Sequence, residues 1–213
     1  MPVTLANLRT RAKRRSDMES TSFVADAEWT DLINEAYLEL WDLVLAAHAD
    51  HFIASANFTL TSSVNTYTIS TAIYNVRSVL RNPGLETEYE VPQWQWNERG
   101  QHAAIAYRLH GTTLEVLPKT SAAGDYRIYY EQSCTKLSAD GDEITAAIEK
   151  YADYIVCAAA IKALQKEESD TATLERERKR IEERIRAASK TRNASRPERI
   201  GDVYMSDPED PWA

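Results

Sequence analysis

His48 and His51 sit one helical turn apart with Asp50 between them. Two imidazoles on one helix face are a fragment of a metal site, but a closed site needs further ligands and the sequence places no third. Histidines at a helix C-terminus, where positive charge is favoured, account for the pair without an ion. Cys134 and Cys157 match no metal or redox spacing. Cys157 lies in the apolar run IVCAAAI, so it reads as a small buried hydrophobe, and a reducing, cytoplasmic setting follows. His102 and His110 read as loop residues and suggest no triad. The six glycines form no phosphate-cradling loop. Carboxylates are plentiful, yet no spacing brings two of them together as a glycosidase needs. No catalytic, cofactor-binding or metal-binding residue is therefore expected.

Other residues have the chemistry of binding. Arg9, Arg11, Lys13, Arg14 and Arg15 crowd one short segment with no acid among them. As residues alone they are expected to form a solvated helical face, in preference to a DNA- or partner-binding patch. Trp94 and Trp96, in VPQWQWNERG, fall on one face if the segment is extended. They either cover one end of a β layer or contact a partner, and both readings stay open. Residues 190–213 are polar and Pro-punctuated, which predicts an extended tail. That tail nevertheless carries Ile200, Val203, Tyr204, Met205 and Trp212 among its prolines and acids, the residue types that anchor a segment on a partner.

These residues need elements to position them. From Asp26 to His48 apolar residues recur at three- and four-residue steps, including Trp29, Leu32, Ile33, Ala36, Tyr37, Leu40 and Val44. This predicts a long helix with one buried face, capped by Asp26 and spanning roughly 34 Å. A shorter helix, Leu5 to about Arg15, is capped by Thr4 and presents Leu5, Leu8 and Ala12. The stretch Glu143 to Gln165, capped by Asp142, offers the long helix a partner, and its run Ala158, Ala159 and Ala160 permits close approach. Ser169 or Asp170 caps a final charged helix, expected to be laced with short-range ion pairs, unless one helix runs straight through residues 167–170.

Between the helical blocks the period changes to two. Asn57 to Thr61, Thr66 to Ser70, Ile73 to Arg81, Glu86 to Val91, Ala106 to Leu109, Thr113 to Leu117 and Asp125 to Gln132 read as short strands, separated by turns such as Asn82-Pro83-Gly84 and His110-Gly111-Thr112. The fold class is thus α+β. Helices near residues 4–15, 26–50, 142–166 and 170–189 form an antiparallel helical bundle, with a small antiparallel β domain inserted at about 56–132 and an extended C-terminal tail. By domain, 1–52 is the first part of a helical frame, 55–134 the insertion, 142–190 the second part of the frame and 191–213 the tail.

The 213 residues carry a net charge of −8, with 43% hydrophobic residues. The pI is about 5.1 and the mean hydropathy −0.50. This suits a globular chain and argues against disorder, a membrane span or generic coating of nucleic acid. The start MPVTLANLRTRAKRR lacks the apolar core of a signal peptide.

In order along the chain, TLANLRTRAKRR, VADAEWTDLINEAYLELWDLV, YTISTAIYNVRSVLRNPG, YRLHGTTLEVLPKTSAAGDYRIYYEQ and IEKYADYIVCAAAIKALQKEES resemble the successive parts of the head-to-tail adaptor (head-completion, or connector) proteins of tailed bacteriophages. The likeness covers about residues 4–190. Where that family often has a Leu-Pro-x-Asp step, this chain has Ile69-Ser70-Thr71-Ala72. The resemblance implies a non-enzymatic structural protein of the virion head-tail junction, assembled in the bacterial host cytoplasm. It implies a ring, commonly of twelve copies, beneath the portal protein, extending the channel for genomic DNA and meeting the next tail or nozzle component, with no cofactor and no membrane. Under it, Arg9, Arg11, Lys13, Arg14 and Arg15 become contacts to the portal or, non-specifically, to DNA phosphates. A DNA-binding regulator using the basic helix, or a carboxylate-based hydrolase, are the alternatives.

Overall fold

The computed structural model describes residues 2–19, 23–48, 50–70, 72–94 and 105–191. Thr4 caps the first helix as its sequence predicts, accepting the Asn7 N–H at 3.3 Å. Helix α1 (Leu5–Arg15) buries Leu5, Leu8 and Ala12. Its first two N–H groups, which have no partner inside a helix, donate to the carbonyls of Asp142 at 2.8 Å and Asp140 at 3.1 Å. The N-terminus is therefore tied to the loop that precedes the later helices.

Helix α2 (Asp26–Ala47) buries Trp29, Ile33, Ala36, Tyr37, Leu40, Trp41 and Val44. Two expectations need correction. Ala25, not Asp26, is the cap residue, and no side chain caps this end; the Asp26 carboxylate is instead held by Lys13. The helix also stops at Ala47 rather than reaching residue 50, because His48 turns extended and the chain folds back with His51 N–H on the His48 carbonyl at 3.0 Å.

The second block departs further from expectation. Asp142 does not cap a helix: its carboxylate accepts the N–H groups of Ser138 at 2.6 Å and Ala139 at 2.8 Å, closing the loop behind it. With that side chain used upstream, the chain passes through a short 3-10 segment, Ala146–Tyr151, before helix α3 (Ala152–Lys166) begins. Residues 167–170 then break the helix. Glu168 takes φ 59° and the Ser169 N–H closes on the Leu164 carbonyl at 3.0 Å, a left-handed helix end. Asp170 accepts the Ala172 N–H at 3.0 Å to start helix α4 (Ala172–Thr191), settling two helices over one.

Helix α3 is the centre of the helical part. It packs on α2, α4 and α1, and Cys157, Ala158, Ala159, Ala160 and Ala163 on it are all fully buried. Their small side chains let the neighbouring backbones come close. Trp41 of α2 stacks on Phe52 with ring centroids 3.7 Å apart, joining this core to the chain entering the first strand.

The strands of the described residues form two antiparallel sheets. Strands β1 (Ile53–Leu60), β3 (Ile73–Arg81), β4 (Tyr89–Val91) and β7 (Gly124–Gln132) make the first, in the order β1-β7-β3-β4. Strands β2 (Thr66–Thr68), β5 (Ala106–His110) and β6 (Thr113–Leu117) make the second, in the order β2-β6-β5. Leu117-Pro118 is a cis peptide leading to a 3-10 turn, Lys119–Ser121. Phe58, Val79, Leu114, Val116, Tyr126 and Ile128 form a second hydrophobic core between the sheets. Tyr126 and Ile128 are buried and Tyr130 partly so, the alternation read from β7. Gly111, at φ 55°, turns the hairpin between β5 and β6 with His110 opposite Thr113.

Candidate functional site

The basic segment of α1 forms a connected site because every base on it meets a carboxylate from elsewhere in the chain. Arg9 pairs with Asp140 of the loop before α3 and lies 3.7 Å from Asp26. Lys13 donates to Asp26 at 2.5 Å. Arg11 pairs with Asp153 at the start of α3, Arg14 reaches Glu19 at 2.9 Å, and Arg15 pairs with Glu177 of α4. The absence of acids within the segment thus hides an arrangement in which α2, α3, α4 and two loops supply them. The five cations are not a uniformly solvated face: the Arg9 side chain is only 16% exposed and that of Lys13 only 23%. Hydrogen bonding and charge from Lys13, more than from Arg9, hold the Asp26 carboxyl below its usual 3.8.

A basic surface lies beside this hub. Arg11, Arg14 and Arg15 line one depression with Asp153 and Val156; Arg176, Arg180 and Arg184 of α4 line another with Asp153, Glu177 and Ile181. Sequence reading placed these α4 arginines in a ladder of ion pairs within the helix. Among the described residues one such pair appears, Arg178 to Glu182 at 3.6 Å. The signal that separates the row was the four-residue spacing of Arg176, Arg180 and Arg184, which puts them on one face.

On the opposite side, α2 carries acids. Lys162 of α3 bonds Glu35 at 2.8 Å and Glu39 at 2.9 Å, and Lys166 bonds Glu28 at 2.6 Å. Burial alone would lower the Lys162 ammonium pKa, but the two glutamates outweigh it and raise it. Asp31, Asn34, Glu35 and Leu38 line a groove with Cys134 and Lys136, and Leu38 is 49% exposed. Burial pushes the Cys134 thiol up to about 11, so its reactive thiolate is suppressed.

The remaining sequence-selected residues fall elsewhere. Trp94 is half-buried beside β5; its backbone N–H donates to the Tyr107 carbonyl at 2.7 Å and the Arg108 guanidinium lies 5.6 Å from its ring. Trp96 lies outside the described residues, as do His102 and the tail residues Ile200, Val203, Tyr204, Met205 and Trp212. His110 belongs to a strand end rather than a loop and sits 3.4 Å from Glu115, which also accepts from Arg108 at 2.7 Å. His48 and His51 have ring centroids 6.2 Å apart, and the His51 ring meets the Ala147 carbonyl and the edge of Phe52. Among the described residues no group of three or more His, Cys, Asp or Glu side chains could hold a metal ion, and no helix is long and apolar enough to cross a membrane.

The arrangement is therefore one of charged surfaces on a tied helical scaffold. No curated protein matches the chain. The model of the SU10 adaptor protein family matches residues 3–201, nearly the whole sequence, and the chain belongs to that family.

Proposed function

We propose that this chain is a structural adaptor at the head-tail junction of a tailed phage virion. Copies join in a ring, commonly of twelve, beneath the portal protein, extend the channel for genomic DNA and offer a platform to the next tail or nozzle component. The chain works as a helical frame (1–52 and 142–190) with a β insertion (55–134) and a tail (191–213) that reaches a neighbour or the portal. Assembly takes place in the host cytoplasm and needs no cofactor.

The observation that carries this reading is the SU10 adaptor match over residues 3–201. The charge arrangement supports it. Because the cations of α1 are drawn toward carboxylates of the same chain, they are held in fixed positions, as a surface that docks repeatedly in one geometry requires. The same pairing disfavours a regulator that reads DNA through α1, since base readout needs guanidinium groups aimed at base edges. Contacts by Arg9, Arg11, Lys13, Arg14 and Arg15 to portal or DNA are part of the proposal, as are those by Trp94, Trp96 and the tail.

Electron microscopy of the purified chain mixed with portal rings of the same phage tests it. Rings capped by an added layer are expected. Truncation after Thr191 should leave the melting temperature nearly unchanged and sharply weaken attachment. Tyr204→Ala and Trp212→Ala should each remove about 2 kcal/mol or more of binding if they anchor the tail. Bare portal rings with the intact chain would sink the proposal.

A further inference from the structure

From the two charged faces we infer how neighbouring copies touch: the arginine row of α4 on one copy lies against the acidic row of α2 on the next. This rests on the ring reading above and goes beyond it by naming the surfaces. On α4, Arg176, Arg180 and Arg184 are exposed and follow one another at four-residue steps. Among the described residues Arg180 and Arg184 have no ion-pair partner, so their charge is available. On α2, Asp31, Glu35 and Glu39 are exposed at the same four-residue step, with Leu38 and Asp42 exposed beside them. One ammonium, Lys162, is shared by Glu35 and Glu39, so the row stays net negative, and among the described residues Asp31 and Asp42 have no ion-pair partner. Four residues rise about 6 Å in any α-helix, so the two rows share one repeat and can pair rung by rung when the helices lie side by side.

The surroundings match as well. The depressions by α4 and α1 gather six guanidinium groups around two carboxylates, Asp153 and Glu177, in a chain whose net charge is −8. Val156 and Ile181, both largely buried, line their floors. The α2 face supplies Leu38, 49% exposed in the middle of the acids, as an apolar anchor, with Lys136 at the rim of its groove. An apolar contact ringed by complementary charge is the ordinary anatomy of a specific interface.

The faces also point apart, as ring closure requires. Asp153 faces α1, and Lys162 faces Glu35 and Glu39 of α2. The two residues are nine positions apart, about two and a half helical turns, so they lie on opposite sides of α3. A copy thus offers its arginines on one flank and its acids on the other. Such a head-to-tail contact repeats from copy to copy and closes into a ring when the rotation per step divides the circle.

The test uses charge reversal and mixing. The isotope-labelled full chain is followed by NMR while unlabelled chain is added to near-millimolar concentration in low salt. Shifts are expected on α4 near Arg180 and Arg184 and on α2 near Asp31 and Asp42, and they should fade as salt screens the contact. Arg180→Glu with Arg184→Glu should abolish self-association, and so should Asp31→Lys with Asp42→Lys, each pair leaving the melting temperature nearly unchanged. A mixture of the two double variants should regain association, because each meets the other with opposite charge at both faces. Self-association through other residues, unaffected by either reversal, would overturn this pairing and leave the ring reading standing. No association in solution, together with intact ring assembly of both variants on portal rings, would overturn it equally. Failure of the unmodified chain to form rings at all would remove the ring reading with it. Binding of duplex DNA to the arginine row with no contact between copies would assign the surface to nucleic acid and overturn the proposal.

Discussion

Tyr37 and Thr145 are joined twice: their hydroxyls lie 3.0 Å apart, and the Tyr37 hydroxyl accepts the Thr145 N–H at 3.2 Å. One side chain on α2 thereby fixes the point where the chain turns toward α3. Burial raises the Tyr37 phenol pKa more than the bonds from Thr145 lower it, so it stays a neutral donor and acceptor. Tyr37→Phe keeps the ring and leaves the Thr145 N–H without its acceptor. A loss of about 1–3 kcal/mol in denaturant unfolding is expected. An unchanged unfolding midpoint would show that the two bonds contribute nothing net.

The helical core depends on α2 meeting α3. Leu40 and Ile155 are both fully buried in it. Leu40→Ala and Ile155→Ala should each cost about 2–5 kcal/mol. Thermal melts that coincide with the unmodified chain would contradict this packing.

Ala159 tests the same contact from the other direction. It is fully buried on α3, and the close approach it permits leaves no room for three more carbons. Ala159→Leu should destabilise by about 1–3 kcal/mol or more, whereas Ala159→Gly should cost nearer 1 kcal/mol through helix propensity. Melting curves of the pair decide it, and a stable leucine variant would mean the space is larger than the packing implies.

Acid should loosen the tie between α1 and α2. Lys13 holds the Asp26 carboxyl below its usual 3.8, so Asp26 binds its proton more weakly in the folded chain than in the unfolded one. The stability it contributes is present above about pH 4 and is lost as pH falls through the folded value. Because the Asp26 side chain is 64% exposed, solvent screens the pair and it contributes only about 0.2–1 kcal/mol. Unfolding measured from pH 6 down to pH 3 should show Asp26→Asn less stable at pH 6, with the gap to the parent narrowing as the pH falls. A constant gap across that range would place the effect elsewhere.

Local signals were the legible part of the sequence. The Thr4 cap, the bounds of α1, strands Ile73–Arg81 and Thr113–Leu117, and the Gly111 hairpin all follow from residues close together in the chain. The misreadings share one cause, a distant competitor for the same group. Asp142 looked like a helix cap until the amides of Ser138 and Ala139 took its carboxylate, and Asp26 looked like one until Lys13 did. Trp41, by contrast, was legible and passed over: four residues after Tyr37 and three before Val44, it lies on the same buried face. Which strands pair was not legible, because register is set between partners far apart in the chain, as with Ile53 and Glu131, 78 residues apart. The candidate site was the least legible, since the acids that partner Arg11 and Arg15 come from α3 and α4.

Helix α3 has a consequence for how the family can change over time. Packed on three neighbours, it is exposed only at Asp153, Gln165 and Lys166, and a larger residue at the fully buried Ala158, Ala159 or Ala163 would push a neighbour away. The outward faces of α1, α2 and α4 are free of that restraint and can trade charge with whatever they touch. Relatives adapted to different neighbours should therefore drift at the arginine and acid rows while keeping the size pattern of α3, so its small residues are the register by which distant members can be aligned.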